Sequence, residues 1–202
     1  MTDAAHAGRI GPNAVIRLVE ALDAIESRAV TVKVFTAAGL EAYVGAPPQA
    51  MVPEDEVTAL HRRLRAEMGP SRAASVSWIA GLRTADYLLA NRIPSQAQRV
   101  LKLLPRRLAA FVLLKAIGSH AWTFAGSGHF SWRFPWRRGR VLTLTFADCA
   151  LCREDHAAGP CCQYYAATFE RLFRILINAD TVVRETACTA AGAEACVFEV
   201  RF

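Results

Sequence analysis

Cysteine is missing from the first 148 residues of this 202-residue chain, so any thiol chemistry is confined to its C-terminal end. Uninterrupted apolar runs are missing as well. The most apolar stretch, Val100–Gly118, is cut by Lys102, Arg106, Arg107 and Lys115, each costly at mid-bilayer, so no transmembrane segment is expected. The opening MTDAAHAGRIGPNA has neither a basic start nor an apolar core. No secretory signal is expected from it, and a cytoplasmic location is the default. No G-x-G-x-x-G follows a strand-like run and opens a helix, which excludes the usual dinucleotide fingerprint. The lone Gly126-Ser127-Gly128 reads as a turn. Acidic residues are the scarcer charge, 18 against 24 basic, for a net charge of +6. The excess gathers at Arg62, Arg63 and Arg65, at Arg106 and Arg107, and at Arg133, Arg137, Arg138 and Arg140. Such a rim suits an anionic membrane surface, a nucleic acid or a carboxylate-bearing ligand equally well. No nucleic-acid signature accompanies it.

What is present describes a globular α+β chain, 53% hydrophobic and 21% charged. One domain is expected over 1–202, mainly helical over 1–118 and built from sheet, helix and cysteine-rich turns over 119–202. Val15, Leu18, Val19, Leu22 and Ile25 form a helical stripe, with Asn13 placed to cap it. Helices are expected over Ala29–Val44, from Pro53 to Met68, over Ser71–Ala90, and from Pro94 to Ile117 with a break at Pro105. The last two are apolar around much of their circumference and are expected at the buried centre. Trp122 and Phe124 before the Gly-Ser-Gly turn, then Phe130, Trp132 and Phe134 after it, predict a β-hairpin. A strand over Arg140–Phe146, an amphipathic helix carrying Tyr165, Phe169, Leu172, Phe173 and Leu176, and two closing strands, TVVRETA and ACVFEV, complete the plan. Helices come first and an antiparallel sheet follows.

The six cysteines are Cys149, Cys152, Cys161, Cys162, Cys188 and Cys196. In a cytosolic chain they argue for metal or catalysis before disulfides. Glu185, Cys188 and Cys196 surround a small-residue turn containing Gly192. Side chains alternate along a strand, so Glu185 and Cys188, three apart, converge on one atom only if the backbone bends between them. Cys196 shares parity with Phe198, Val200 and Phe202 and opens the core-facing row of the last strand. A fourth ligand must come from elsewhere: Cys161 or Cys162 at a helix start, Cys149, Cys152 or His156. A helix N-terminus favours thiolate, which suits Cys162. A competing set is Cys149-x2-Cys152 with His156 and Cys161, and ordinary buried thiols are the third alternative.

The segments PCCQYYAATFERLF and ETACTAAGAEACVFEV resemble the ending of the 4-vinyl reductase domain family: E-x2-C, a short turn containing glycine, then Cys and an aliphatic-aromatic strand. The opening GRIGPNAVIRLVEAL is similar to the branch of that family found in bacteriochlorophyll biosynthesis. Together with the length, these motifs extend the resemblance over nearly the whole chain. It implies a fold shared with small subunits of the vesicle-tethering TRAPP complex and with the sensory domains of phenol-responsive regulators. Those are helices packed on an antiparallel sheet, often dimeric, around an apolar ligand cavity. It also implies a structural Zn²⁺ held by three cysteines and a glutamate, at positions matching Cys162, Glu185, Cys188 and Cys196. Cys149 and Cys152 fall outside that pattern, and Cys161 is the alternate for Cys162.

The family name implies a 4-vinyl reductase of divinyl protochlorophyllide, yet the residues supply no hydride-donor site. A zinc closed by four protein ligands also lacks an open position for chemistry. A binding role asks for an apolar cleft with aromatic walls, a few polar groups and a basic rim. Trp78, Trp122, Trp132, Trp136 and Arg137 answer that description, and His120 or His129 could ligate a metal centre. The expected function is an accessory or carrier protein that binds a Mg-porphyrin or protochlorophyllide. It would hand this cargo to Mg-chelatase or a downstream pathway enzyme, as a homodimer and with peripheral attachment at the photosynthetic membrane. The reductase is the alternative, and a small-molecule sensory domain is the third.

Overall fold

The computed structural model describes residues 8–134 and 141–202. Trp136, Arg137, Arg138 and Arg140 therefore lie outside the described residues. The chain opens with a two-residue strand, β1 (Arg9–Ile10), and α1 (Asn13–Ile25) follows. Val15, Leu18, Val19 and Leu22 bury the predicted stripe, while Ile25 is exposed at its end. Full burial of each such side chain contributes about 2 kcal/mol. Asn13 does not cap: its Oδ1 accepts from Arg17 Nε at 3.2 Å.

The single helix expected over Ala29–Val44 is two, α2 (Arg28–Ala37) and α3 (Ala42–Gly45). Gly39 takes φ +74°, and the Leu40 N–H closes back on the Phe35 carbonyl at 2.8 Å. That left-handed closure ends α2. β2 (Val52–Pro53) pairs antiparallel with β1, a pairing the sequence pattern did not suggest. α4 (Glu54–Met68) starts after Pro53 with three acids in its first turn and stops at Gly69.

α5 (Pro70–Asn91) is the long central helix. α6 (Ser95–Leu103) and α7 (Arg106–Ser119) are separated at Pro105. They are not the buried centre: α6 buries Leu101 alone, and Leu103, Leu108 and Val112 are exposed. The segment expected to form the first hairpin strand is a one-turn helix, α8 (Trp122–Ala125). Its geometry is held from outside. Gly11 N donates to Thr123 O at 2.8 Å, and the Ser127 N–H and hydroxyl donate to the Glu54 carboxylate at 2.7 and 2.5 Å.

The sheet consists of β3 (His129–Arg133), β4 (Leu142–Ala147), β5 (Val182–Ala187) and β6 (Cys196–Arg201), with α9 (Gln163–Leu176) between β4 and β5. Its order is β3-β4-β6-β5, antiparallel throughout. Leu142, Leu144 and Phe146 on β4, and Cys196, Phe198 and Val200 on β6, face the core. α9 is covered on both sides. Toward the sheet, Tyr165 stacks on Phe146 at 4.4 Å, and Phe169 lies edge-on to Phe198. Toward α5, Gly81 lets the helices touch backbone to backbone, because a Cβ there would overlap the Tyr164 carbonyl. Thr168 Oγ1 donates to Gly81 O at 3.1 Å, and the Thr84 and Tyr164 hydroxyls meet at 2.8 Å.

Candidate metal centre and aromatic wall

Antiparallel register carries the cysteines to one end of the sheet. Phe146 pairs with Cys196, so the chain leaving β4 toward Cys149 runs beside the start of β6. Ala187 pairs with Val197, so Cys188 arrives there from β5. The bend required between Glu185 and Cys188 is present: the register shifts between Glu185 and Ala187. Gly192, at φ +89°, closes the turn from Cys188 toward Cys196. Cys161 and Cys162 enter from the residues just before α9.

Cys149 and Cys152 sit in a tight turn, with Cys152 N donating to Cys149 O at 3.1 Å. Asp148 and Glu154, on either side, both adopt positive φ, 54° and 56°. For residues with a Cβ that conformation costs about 1–2 kcal/mol each, so the turn must be gripped from outside. The grip comes from α4. Thr58 Oγ1 donates to Ala150 O at 2.6 Å and Arg65 Nη2 to Leu151 O at 2.8 Å. Arg65 Nε also donates to Asp155 Oδ2 at 2.6 Å. Arg153 bridges Asp148 and the buried Glu54 carboxylate, at 2.7 and 2.8 Å.

The Sγ–Sγ distances are 3.7 Å for Cys149–Cys162, 3.4 Å for Cys152–Cys196 and 3.9 Å for Cys162–Cys196. Cys188 lies 3.8 Å from Cys196 and from Cys152, and 3.7 Å from Cys161. Zn–S bonds of about 2.3 Å make the edge of a tetrahedral thiolate site about 3.8 Å. The cluster thus has the spacing of a metal–thiolate site. Three overlapping quartets have all donor atoms within 4.8 Å of one another: Cys149, Cys152, Cys162 and Cys196; Cys152, Cys161, Cys162 and Cys188; Cys162, Glu185, Cys188 and Cys196. Glu185 Oε2 accepts the Cys162 N–H at 2.7 Å, while its buried Oε1 has no hydrogen-bond partner among the described residues. Burial pushes the Glu185 carboxyl up to about 8, even though the Cys162 N–H pulls the other way. A carboxylate oxygen orphaned among thiols fits a soft divalent cation.

The four residues matched by family resemblance are therefore together. Cys149 and Cys152, expected outside the pattern, belong to the same cluster. His156 is exposed and belongs to none of the quartets, so the knuckle of Cys149, Cys152, His156 and Cys161 does not form. Two residues of α4 face the cluster unannounced. Burial weighs against the Arg65 charge, but Cys161, Asp155 and Cys162 outweigh it and raise its pKa. His61 is 1% exposed, and its Nε2 has no partner among the described residues. Burial, with Arg65 adding, pushes its pKa down to about 3. Sequence reasoning placed Arg65 in a basic rim. The overlooked signal was helical phase, since His61 and Arg65 follow Val57 and accompany Leu64 and Met68 along α4.

Of the residues proposed to hold a ligand, Trp132 is the best placed. It lies edge-on to Phe111 of α7 at 5.6 Å, and Phe111 meets Phe134 at 5.7 Å. Cations cap this wall: Arg107 stands over Phe134 at 6.0 Å and Lys115 over Phe111 at 5.7 Å. His120 is exposed at the end of α7, with Nδ1 donating to Ala116 O at 2.8 Å. Trp122 and His129 are exposed on α8 and at the start of β3. Trp78 is half-buried on α5, apart from the α7–β3 group. A depression of about 220 Å³ lined by Cys149, Cys152, Arg153, Asp155 and Thr189, among others, opens onto the thiols. A larger one, about 550 Å³ and lined by Arg28, Val32, Glu41 and Val44, among others, touches neither thiols nor aromatic wall.

The family model of the 4-vinyl reductase domain matches residues 142–202, the segment holding β4, α9, β5, β6 and all six cysteines. The chain is 43% identical to the bacteriochlorophyll synthase 23 kDa chain of Cereibacter sphaeroides, over 97% of this chain and 92% of that one. It is 40% identical to the chain of the same description from Rhodobacter capsulatus, over 94% and 85%. Its fold is similar to that of the Fe(II) unliganded H-NOX protein from K. algicida, with a TM-score of 0.61 at 10% identity over 95% of this chain and 96% of that one. The chain belongs to the family of bacteriochlorophyll synthase 23 kDa chains and ends in a 4-vinyl reductase domain.

Proposed function

We propose that this protein is an accessory protein of bacteriochlorophyll biosynthesis that binds a Mg-porphyrin or protochlorophyllide and presents it to a pathway enzyme, Mg-chelatase or one acting later. The observation that carries this reading is the wall of Phe111, Trp132 and Phe134 capped by Arg107 and Lys115. A flat apolar macrocycle with acidic side chains asks for aromatic faces beside cations. His120 and His129 stand close in sequence to that wall as axial donors for a chelated metal. Zn²⁺ would be held by Cys162, Glu185, Cys188 and Cys196. There it would act as a clamp joining the start of α9 to the ends of β5 and β6, with no role in chemistry.

Peripheral attachment to an anionic photosynthetic membrane belongs to the same reading. Val100, Leu103, Leu108 and Val112 are exposed at 56%, 86%, 48% and 43%. They alternate with exposed Arg99, Lys102, Arg106 and Arg107. Apolar side chains interleaved with cations are the pattern of a helix lying in a lipid interface.

The test is a titration of the purified protein with protochlorophyllide, followed by pigment absorbance and Trp quenching, with and without NADPH or reduced ferredoxin. Saturable binding with no spectral change of the vinyl group supports a carrier. Turnover would make it the reductase, and absence of binding would remove both.

A further inference from the structure

We infer that the cysteine cluster takes two divalent metal ions, bridged by Cys162 and Cys196. The inference rests on the metal reading of the site given above and extends it from one ion to two. Two of the three quartets, Cys149–Cys152–Cys162–Cys196 and Cys162–Glu185–Cys188–Cys196, have those two cysteines in common. Two tetrahedra sharing an edge use six donors, and these two quartets together comprise six residues. The shared edge, Cys162 to Cys196, is 3.9 Å long. Edges leading away from it measure 3.7 Å to Cys149, 3.4 Å to Cys152 and 3.8 Å to Cys188. All lie near the edge of about 3.8 Å expected for a tetrahedral zinc–thiolate site.

A single ion in either quartet leaves two further buried donors within van der Waals distance of the bound thiolates. Cys149 and Cys152 are only 2% and 1% exposed, and their turn is held in place against two left-handed residues. In the one-ion case that turn has no task. In the two-ion case it supplies the outer pair of the second tetrahedron, as Glu185 and Cys188 do for the first. Charge agrees: five thiolates and one carboxylate exceed two divalent cations, and the Arg65 guanidinium beside Cys161 and Cys162 offsets part of the excess. The Thr189 N–H, directed at Cys196 Sγ from 3.4 Å, relieves a bridging sulfur further. The depression lined by Cys149, Cys152 and Asp155 is the entry path. Cys161, half-buried and 3.7 Å from Cys188, stays outside both tetrahedra.

The experiment loads the full chain with ¹¹³Cd²⁺ and with Zn²⁺, counts metal per chain by elemental analysis, and records the ¹¹³Cd spectrum. Two ions per chain are expected, with two ¹¹³Cd resonances split by mutual coupling through the bridging sulfurs. Cys161→Ser should keep both ions. The double variant Cys149→Ser, Cys152→Ser should hold one and keep its far-UV circular dichroism. One ion in the wild-type chain overturns this inference and leaves the single site standing. No ion overturns both. Two uncoupled resonances refute the bridge, and acid-labile sulfide in the purified chain replaces it with an iron–sulfur cluster. The wild-type spectrum decides even where a variant fails to fold.

Discussion

The Glu185 carboxylate accepts the Cys162 backbone N–H at 2.7 Å, joining β5 to the residue that caps α9. One carboxylate oxygen is spent on that bond and the other, buried, is free to meet a cation. The same bond therefore orients both a ligand and the helix start that delivers Cys162.

Glu185→Gln keeps an oxygen for the Cys162 N–H and removes the charge. Zinc affinity should fall by at least about tenfold, the lower end of what even outer-shell partners cost, while the apo fold survives. Competition with a coloured chelator measures it. Cys188→Ser removes a thiolate from the cluster, so the variant should aggregate or unfold and lose zinc together. A soluble, folded, metal-free Cys188→Ser protein would falsify a structural role for the site.

His61 makes stability depend on pH. Its pKa is pushed down to about 3 in the fold from an ordinary 6.5, first by burial. As pH falls, the unfolded chain takes up the proton before the folded one does. The contribution of neutral His61 is thus complete above pH 6.5 and is lost as pH falls toward 3. Its slope is at most about 1.4 kcal/mol per pH unit. Urea unfolding at pH 7 and pH 5 should show a larger loss for the wild type than for His61→Leu. Equal losses would dismiss His61 as the source.

Gly81→Ala sets two effects against each other. Alanine in a helix interior gains about 0.5–1 kcal/mol over glycine. Here its Cβ overlaps the Tyr164 carbonyl and comes within 2.9 Å of the Ala167 Cβ, and overpacking costs about 1–3 kcal/mol. The overlap wins, because the blocking atom is backbone. A lowered Tm is expected, and an unchanged or raised one would show that α5 and α9 can separate without cost.

Leu103→Glu with Leu108→Glu should abolish binding to vesicles rich in anionic lipid and leave pigment binding intact. The wild type should bind such vesicles and release them as salt rises, since the cations contribute through a screened field. Flotation assays decide it. Retention of the double variant on vesicles would place the contact elsewhere.

Local pattern was a good guide wherever the cause was local. The stripe of α1, the acids opening α4 and the stop at Pro105 each depend on residues within a turn or two. Alternation misled at Trp122 and Phe124, because three residues of period two are also compatible with one helical turn. The decision was made by Gly11 and Glu54, more than 70 residues away in the latter case, which hold α8 and Ser127. Apolar circumference misled at α6 and α7, where the same side chains face outward beside cations instead of forming the centre.

By itself the sequence determined the order of elements, the core-facing parity of Cys196 and the need for a bend between Glu185 and Cys188. Each follows from chain geometry over a few residues. Only the tertiary structure decided which thiols meet. Cys152 and Cys196 are 44 residues apart, and their 3.4 Å contact depends on the pairing of Phe146 with Cys196 and on the grip of α4 on the Cys149–Cys152 turn. Strand register and helix docking are long-range properties, set by the whole core and not written into any one segment.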